Sequence, residues 1–304
     1  MIRKTVFIRR DGKSIRSTST PHNSYPIADS RYRIVLLYRR LYRHYGPQHW
    51  WPADTAWEMM VGAILTQNTA WTNVEKAIAA LKRTDALSVH AIAHMPCKHL
   101  EKLIRSSGYF RQKARRLQEF ARAILNDHAL RRNLMPSSRR KPGSRGIFGL
   151  GPGFHRGDVK TMRDRLLSFN GVGPETADSI LLYAGGYPTF VVDAYTRRIG
   201  QRLGLFKTND YDEIQEYFHQ RCRGGRLAAR ACQYNEFHAL LVRLAKEICT
   251  KRHPRCAVCP VRDICKFGMK PSPALRAPSP ASPRERAGPC LLPALAGRRW
   301  PKAG

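Results

Sequence analysis

Leu166-Leu167-Ser168-Phe169-Asn170-Gly171-Val172-Gly173-Pro174-Glu175-Thr176-Ala177 reads as the end of one helix, a tight turn and the start of another. Gly171 and Gly173 permit backbone conformations with positive φ. Pro174 suits the first turn of a helix. Backbone amides at such a helix start point outward and hold a phosphate without reading a base. An ordinary helix–helix turn has the same letters, so this stretch alone leaves both readings open.

Outward from the turn, the apolar residues repeat with a helical period. Ala177, Ile180, Leu181 and Ala184 follow it on the C-terminal side, as do Phe237, Leu240, Leu241, Leu244 and Ile248 further on. On the N-terminal side, Val74, Ala77, Ile78 and Leu81 obey the rule, then Ala114, Leu117, Phe120, Ala121 and Ile124. Alternating strand-like runs are scarce. The pattern predicts an all-α chain with helices near 31–45, 55–68, 71–83, 98–106, 111–126, 160–168, 174–185, 193–203, 210–220 and 229–248. Shortly after the turn comes Val191-Val192-Asp193-Ala194-Tyr195-Thr196-Arg197-Arg198. Asp193 stands where an apolar run meets a new helix, the position of an N-cap. A capping carboxylate there is pre-positioned and can also face a cleft.

Four of the eight cysteines crowd into 17 residues as Cys249-x6-Cys256-x2-Cys259-x5-Cys265. With no secretion signal in view, such a quartet points to a metal site rather than a disulfide framework. Four thiolates suit tetrahedral zinc or an iron–sulfur cluster, and the spacing alone leaves both open. Lys251, Arg252, Arg255, Arg262 and Lys266 surround the quartet and are expected to favour thiolates.

The chain has 54 Lys+Arg against 22 Asp+Glu over 304 residues, a formal charge of +32. That balance implies a polyanionic partner without saying which. Residues 1–20, 131–160 and 266–304 carry net charges of +5, +7 and +7, leaving +13 for the other 215 residues. The first is expected to be a basic flexible segment over 1–30. The stretch 136–157 is rich in Ser, Arg, Pro and Gly and reads as an inserted loop, about 134–160 at its widest. Residues 271–304 contain eight of the 20 prolines and read as a disordered tail from 266 onward. No apolar run approaches a membrane span. The N-terminus lacks an apolar signal core. The expectation is a cytoplasmic, nucleoid-associated protein with no membrane partner.

Together these pieces resemble the endonuclease III branch of the helix-hairpin-helix (HhH-GPD) DNA glycosylases. The matching residues are Leu65-Thr66-Gln67-Asn68-Thr69, the hairpin 170–177, Val192-Asp193 and the cysteine quartet, in the right order. The step of 18 residues from Glu175 to Asp193 also matches. The resemblance covers about residues 31–265 and implies a two-domain fold. Residues 51–199 would form a six-helix domain with the hairpin, and 31–50 with 200–265 a discontinuous helical domain. It implies a [4Fe–4S] cluster on Cys249, Cys256, Cys259 and Cys265, with zinc the alternative. The partner it implies is double-stranded DNA containing a damaged base, met by a monomer.

One departure changes the implied chemistry. Bifunctional members carry a lysine after the hairpin that attacks the sugar C1′ and forms a Schiff base. Here that position is Glu175, and a carboxylate cannot form one. The resemblance therefore implies a monofunctional N-glycosylase for base excision repair. Two alternatives stand: a bifunctional glycosylase/AP lyase, and a non-catalytic damage sensor of the same fold. Trp50-Trp51-Pro52, Gly62 to Thr69 and Ser107 to Ala114 further resemble the bacterial 3-methyladenine glycosylases of this family. Those imply an alkylated base, although the best-known one lacks the quartet. By the resemblance, Asp193 is the catalytic carboxylate, Gln67 fills the gap left by a flipped nucleotide, and Gly171, Val172 and Gly173 bind the DNA backbone. Trp50, Trp51 and Trp71 are candidates for a base-stacking pocket, since aromatic faces attract electron-poor rings. Tyr109 and Phe110 are weaker candidates, and His238 reads as a packed structural histidine.

Overall fold

The computed structural model describes residues 30–135, 156–222 and 227–269. All of them fall in one compact unit that runs to Met269. The basic segment 1–29, the insertion at 136–155 and the tail from 270 lie outside the described residues. Among those described, helices and turns account for the architecture and no strand occurs. No described helix is long and apolar enough to cross a membrane.

The helices are α1 Ser30–Tyr45, α2 Ala56–Leu65, α3 Trp71–Arg83, α4 Val89–His94, α5 Cys97–Leu103, α6 Phe110–Asn126 and α7 His128–Leu134. After the insertion come α8 Arg156–Leu167, α9 Pro174–Ser179, α10 Ala194–Leu203, α11 Tyr211–Arg221 and α12 Leu227–Glu247. α2 is buried at all ten positions, which makes it the central helix. Its start is a capping box: Thr55 accepts from the Glu58 amide at 3.1 Å, and Glu58 reaches back to the Asp54 amide at 3.1 Å. α6 buries the apolar stripe 114, 117, 120, 121, 124. α1 packs on α11 and α12, and α10 also packs on α12. Arg33 of α1 donates to the carbonyl oxygens of Leu203 and Ile264, tying both ends of the chain together.

Four differences from the sequence-based expectations have simple causes. The helix expected over 55–68 stops at Leu65. Thr66 turns its hydroxyl back onto the Gly62 carbonyl at 2.7 Å, and Asn68 takes a left-handed φ of +52°. Residues 66–69 thereby become a turn rather than a fourth helical turn. α4 and α7 were not predicted, because six and seven residues are too few to carry a period. Their caps were the available signal: Ser88 accepts from the Ala91 amide and Asp127 from the Leu130 amide.

The helix expected over 174–185 is α9 followed by a π turn at Ile180–Ala184. The Gly185 amide donates to Ile180 five residues back, at 3.1 Å. A Cβ at Gly185 would lie 2.5 Å from the Tyr187 ring, so glycine is required there. The fourth difference concerns the appendages. Leu134 is buried and α8 begins at Arg156, so ordered chain reaches into both ends of the expected insertion. Likewise residues 266–269 pack rather than trail: the Phe267 amide donates to the Arg202 carbonyl at 2.9 Å.

Candidate active site

A cavity of about 220 Å³ opens where α2, α3, α9, α10 and α12 approach one another. Its lining brings together Trp50, Trp51, Gln67, Trp71, Glu175 and Asp193, residues the sequence had marked from four separate segments. His238 and Lys246 line it as well.

Asp193 is the N-cap of α10, and its Oδ1 accepts from the Thr196 amide at 2.7 Å. Its cap role and its place in the cavity are thus compatible. Burial pushes the Asp193 carboxyl up. The nearby His238 and the hydrogen bonds of Thr196 outweigh burial and leave it below the usual carboxylate range. Glu175 moves the opposite way. The cavity wall removes water from its carboxyl and the charge of Asp193 adds to the rise, with His238 and Arg197 opposing. Glu175 remains solvent-accessible at the cavity mouth. Two carboxyls whose environments push them in opposite directions are suited to separate roles.

The three tryptophans form one cluster. Trp50 and Trp51 meet edge to face at 5.5 Å between centroids, and Trp51 meets Trp71 at 5.1 Å. A Cβ at Gly62 of α2 would lie 3.5 Å from the Trp51 ring. Each ring is only partly buried, so the cluster both supports the core and walls the cavity. The indole nitrogen of Trp51 is buried without a partner, whereas the Trp50 indole N–H is directed at the Tyr183 hydroxyl. Lys246 places its ammonium 5.7 Å from the Trp50 ring centroid. Lys246 and the position of His238 were missed by the sequence reading. The available signal was His238, Val242 and Lys246 at i, i+4, i+8 on α12, a stripe that lines the cavity.

Gln67 is not free. It donates to the Gly171 carbonyl at 2.9 Å and to the Thr176 hydroxyl at 3.0 Å, and it accepts from Arg116 at 3.1 Å. Its turn is held by Lys113, which is 2% exposed. Lys113 donates to the Leu65 and Ser107 carbonyls and the Thr69 hydroxyl, all within 2.8 Å. Burial, then repulsion from Arg116, pulls its ammonium down to about 8. Tyr109 projects from the adjoining loop, 71% exposed, with a left-handed φ of +45°.

The hairpin differs from expectation in two details. Only Gly171 uses positive φ, at +78°; Gly173 is extended and caps α9. Val172 is buried and spends its amide on the Phe169 carbonyl at 3.0 Å, which leaves the amides of Gly171 and Gly173 as the candidates for a phosphate. Nothing lies within 4 Å of where a Gly173 side chain would start, so an external group can approach its backbone. At Gly171 a Cβ would lie 2.1 Å from Arg116. Gly171→Ala is expected to cost about 1–2 kcal/mol from the left-handed backbone alone, and more from displacing Arg116. A urea titration measures the loss; an unchanged midpoint would contradict this geometry.

Behind the hairpin, buried Asp178 of α9 receives Arg163 from α8 at 3.0 Å and Gln215 from α11 at 2.8 Å. This network holds α9, and with it Glu175, against its neighbours.

The four cysteines line a small cavity with Arg202, Ile248, Pro254 and Phe267. Among the described residues, no three His, Cys, Asp or Glu side chains are grouped to hold a single metal ion. Burial, reinforced by the other thiols, pushes Cys259 up to about 11 and also raises Cys265. Deprotonating these two calls for compensating positive charge within the cavity, as a bound metal group supplies. The donor set fits such a group: four soft sulfurs around one space, with Arg202 donating to Cys249 Sγ at 3.2 Å and the Gly268 amide to Cys265 Sγ at 3.4 Å. Arg198 and Arg202 of α10 also hold the carbonyls of Cys249 and Thr250. The helix capped by Asp193 thus grips the cysteine loop. Arg255 donates to the Glu247 carbonyl at the end of α12.

Residues 61–224 match the model of the HhH-GPD superfamily base excision DNA repair proteins. The chain belongs to that superfamily. A Methanocaldococcus jannaschii protein named as a DNA repair glycosylase, MJ1434, is 40% identical over 233 residues, 76% of this chain and 95% of that one. Endonuclease III of Sulfolobus acidocaldarius is 27% identical over 210 residues, covering 68% and 80%. Among solved structures, H. pylori 3-methyladenine DNA glycosylase bound to 1,N6-ethenoadenine superposes with a TM-score of 0.55 at 28% identity. It covers 72% of this chain and 98% of that one. A trapped endonuclease III–DNA covalent intermediate shares the fold, with a TM-score of 0.59 at 20% identity over 78% and 96%. The all-α, endonuclease III-like helix-hairpin-helix fold read from the sequence is the fold of this HhH-GPD protein.

Proposed function

We propose that this HhH-GPD protein is a monofunctional DNA N-glycosylase that releases an alkylated base from duplex DNA. The observation that carries the reading is a single cavity holding Asp193, Glu175 and the tryptophan cluster, with no lysine at position 175. A flipped nucleotide leaves the stack at a cost of a few kcal/mol, roughly, and least when the base is damaged. Its base would enter against Trp51 and Trp71, since Lys246 already occupies one side of Trp50. Gly171 and Gly173 would hold a backbone phosphate. Gln67 would leave its hairpin contacts to fill the gap.

In this reading Asp193, kept ionised, faces the sugar as positive charge develops at C1′. Glu175, the second carboxyl of the cavity, would donate a proton to the departing base. Water then bonds to C1′ and its proton replaces the one given up. The H. pylori relative, solved bound to 1,N6-ethenoadenine, supports a modified purine as the substrate class. The two-domain division belongs to the same proposal, with 51–199 carrying the hairpin and 31–50 plus 200–265 the cysteine loop. So do a monomeric state and a cytoplasmic, nucleoid-associated location.

We assign Cys249, Cys256, Cys259 and Cys265 to a [4Fe–4S] cluster, with zinc the alternative. Such a cluster, fully ligated by cysteine, supplies structural rigidity and leaves no open metal position. The chain's own residues perform the reaction. Lys251 and Arg252, exposed on the loop, would meet the DNA backbone.

Lys246 supports one competing reading, because its amine shares the cavity. Borohydride trapping separates the two. The wild-type protein is expected to give no covalent adduct with duplexes carrying one alkylated base, whereas Glu175→Lys is expected to give one. A wild-type adduct that disappears in Lys246→Met would replace this proposal with a bifunctional lyase.

A further inference from the structure

Behind Asp193 lies a buried pair that the reaction above does not use. Tyr183 and His238 are each 5% exposed. The Tyr183 hydroxyl lies 2.5 Å from His238 Nδ1. His238 Nε2 stands 3.6 Å from Asp193 Oδ2 and has no hydrogen-bond partner, although it is buried. An unpaired buried ring nitrogen calls for an explanation. Three elements converge to make this arrangement. Asp193 opens α10, His238 comes from the middle of α12, and Tyr183 comes from the π turn, which shifts the register of the helix that carries it.

We propose that His238 is a positioning residue for Asp193, presenting Nε2–H to Oδ2, and that Tyr183 holds it in that tautomer by donating its hydroxyl hydrogen to Nδ1. The proposal rests on the glycosylase reading above. The gap of 3.6 Å is longer than a hydrogen bond. Contacts of this kind are commonly long in free enzymes and close when substrate fills the site. Oδ1 is already fixed by the Thr196 amide. A second donor on Oδ2 leaves the carboxylate with both oxygens oriented. Asp193 then acts as a fixed anion opposite the sugar cation, in place of a mobile base that collects a proton from water. A donating tyrosine hydroxyl on Nδ1 puts the imidazole hydrogen on Nε2, the nitrogen that faces Asp193.

The titratable groups facing Asp193 are Glu175 from α9, Tyr183 and His238, while Arg197 of its own helix acts on Glu175. Lys246 lines the same cavity from α12. Of these, His238 is the one placed to donate directly to Oδ2. Removing it takes away both a donor and a potential positive charge, so the Asp193 carboxyl becomes easier to protonate. The acidic limb of the pH–rate profile must then move to higher pH.

The test uses the full-length protein and duplexes each carrying one modified base, 1,N6-ethenoadenine among them, in single-turnover base release. His238→Ala is expected to slow release about tenfold to hundredfold, the loss of a hydrogen bond to a charged group. It should shift the acidic limb upward while affinity for a duplex with a tetrahydrofuran abasic analogue stays unchanged. His238→Gln keeps an amide donor near Nε2 and should recover most of the rate; Tyr183→Phe should show an intermediate loss. A merely structural histidine would lower rate and affinity together and leave the limb in place, and that outcome overturns the proposal.

A readout independent of substrate is 15N NMR of the imidazole ring. The proposal requires the Nε2–H tautomer in the wild type and a mixed population in Tyr183→Phe. A predominant Nδ1–H tautomer would refute it. If Asp193→Asn is dead while His238→Ala works at the wild-type rate, His238 has no positioning role and the glycosylase reading stands. If the wild type releases no base from any duplex, the glycosylase reading fails, and the ring tautomer still decides the geometry.

Discussion

Asp193→Asn is expected to reduce base release by about a thousandfold or more, the scale of losing one preorganised electrostatic partner of the transition state. Folding should survive, because asparagine is as good an N-cap as aspartate and its carbonyl oxygen can still accept from the Thr196 amide. What disappears is the negative charge in a low-dielectric cavity, the feature that opposes the developing cation at C1′. Binding to undamaged duplex DNA should change little, since the hairpin and the loop residues Lys251 and Arg252 are untouched. Gel-shift affinity beside single-turnover release makes the separation visible. A variant that still releases base at the wild-type rate would remove Asp193 from the chemistry and favour the damage-sensor reading.

The second large effect is expected at the cysteine loop. Cys259→Ala should abolish the broad visible absorption of the anaerobically purified protein and reduce its iron from about four atoms per chain. It should also destabilise the fold by more than about 4 kcal/mol, the range reached when a structural metal site is lost. The reason is local. The loop from 250 to 264 contains only two short 3₁₀ turns and leaves Val258 62% exposed, so Val261 and Ile264 are the only apolar side chains that anchor it in the core. Arg202 and Arg198 bond its first carbonyls, and disorder there would be felt by α10, the helix that Asp193 begins. Activity should therefore fall with the iron content although no cysteine lines the active-site cavity. Colourless wild-type protein containing one zinc would overturn the iron–sulfur assignment.

Much of this protein was legible before any coordinates. Helical periodicity identified α3, α6 and α12, because each buries one stripe and burial follows a 3.6-residue repeat. The hairpin was legible from its glycines and proline, Asp193 from its place at a helix start, and the quartet from spacing. Each of those signals is local in the chain. The turn at 66–69, the π turn at Ile180–Ala184, and α4 and α7 were not legible. The turn at 66–69 depends on Lys113 donating to the Leu65 carbonyl, 48 residues away, while the π turn and the two short helices are too brief to carry a period.

Sequence by itself determined the all-α class and the residue types available for chemistry, since periodicity, turn chemistry and spacing are properties of neighbouring residues, and its resemblance to known members pointed to the helix-hairpin-helix family. Tertiary structure alone decided that His238 and Tyr183 stand behind Asp193 and that Lys246 shares its cavity. It also decided that Val172 has no amide to offer DNA and that Gln67 starts out bound to the hairpin. These are matters of distance between segments as many as 109 residues apart, as Gln67 is from Thr176, and packing sets such distances where no pattern along the chain records them.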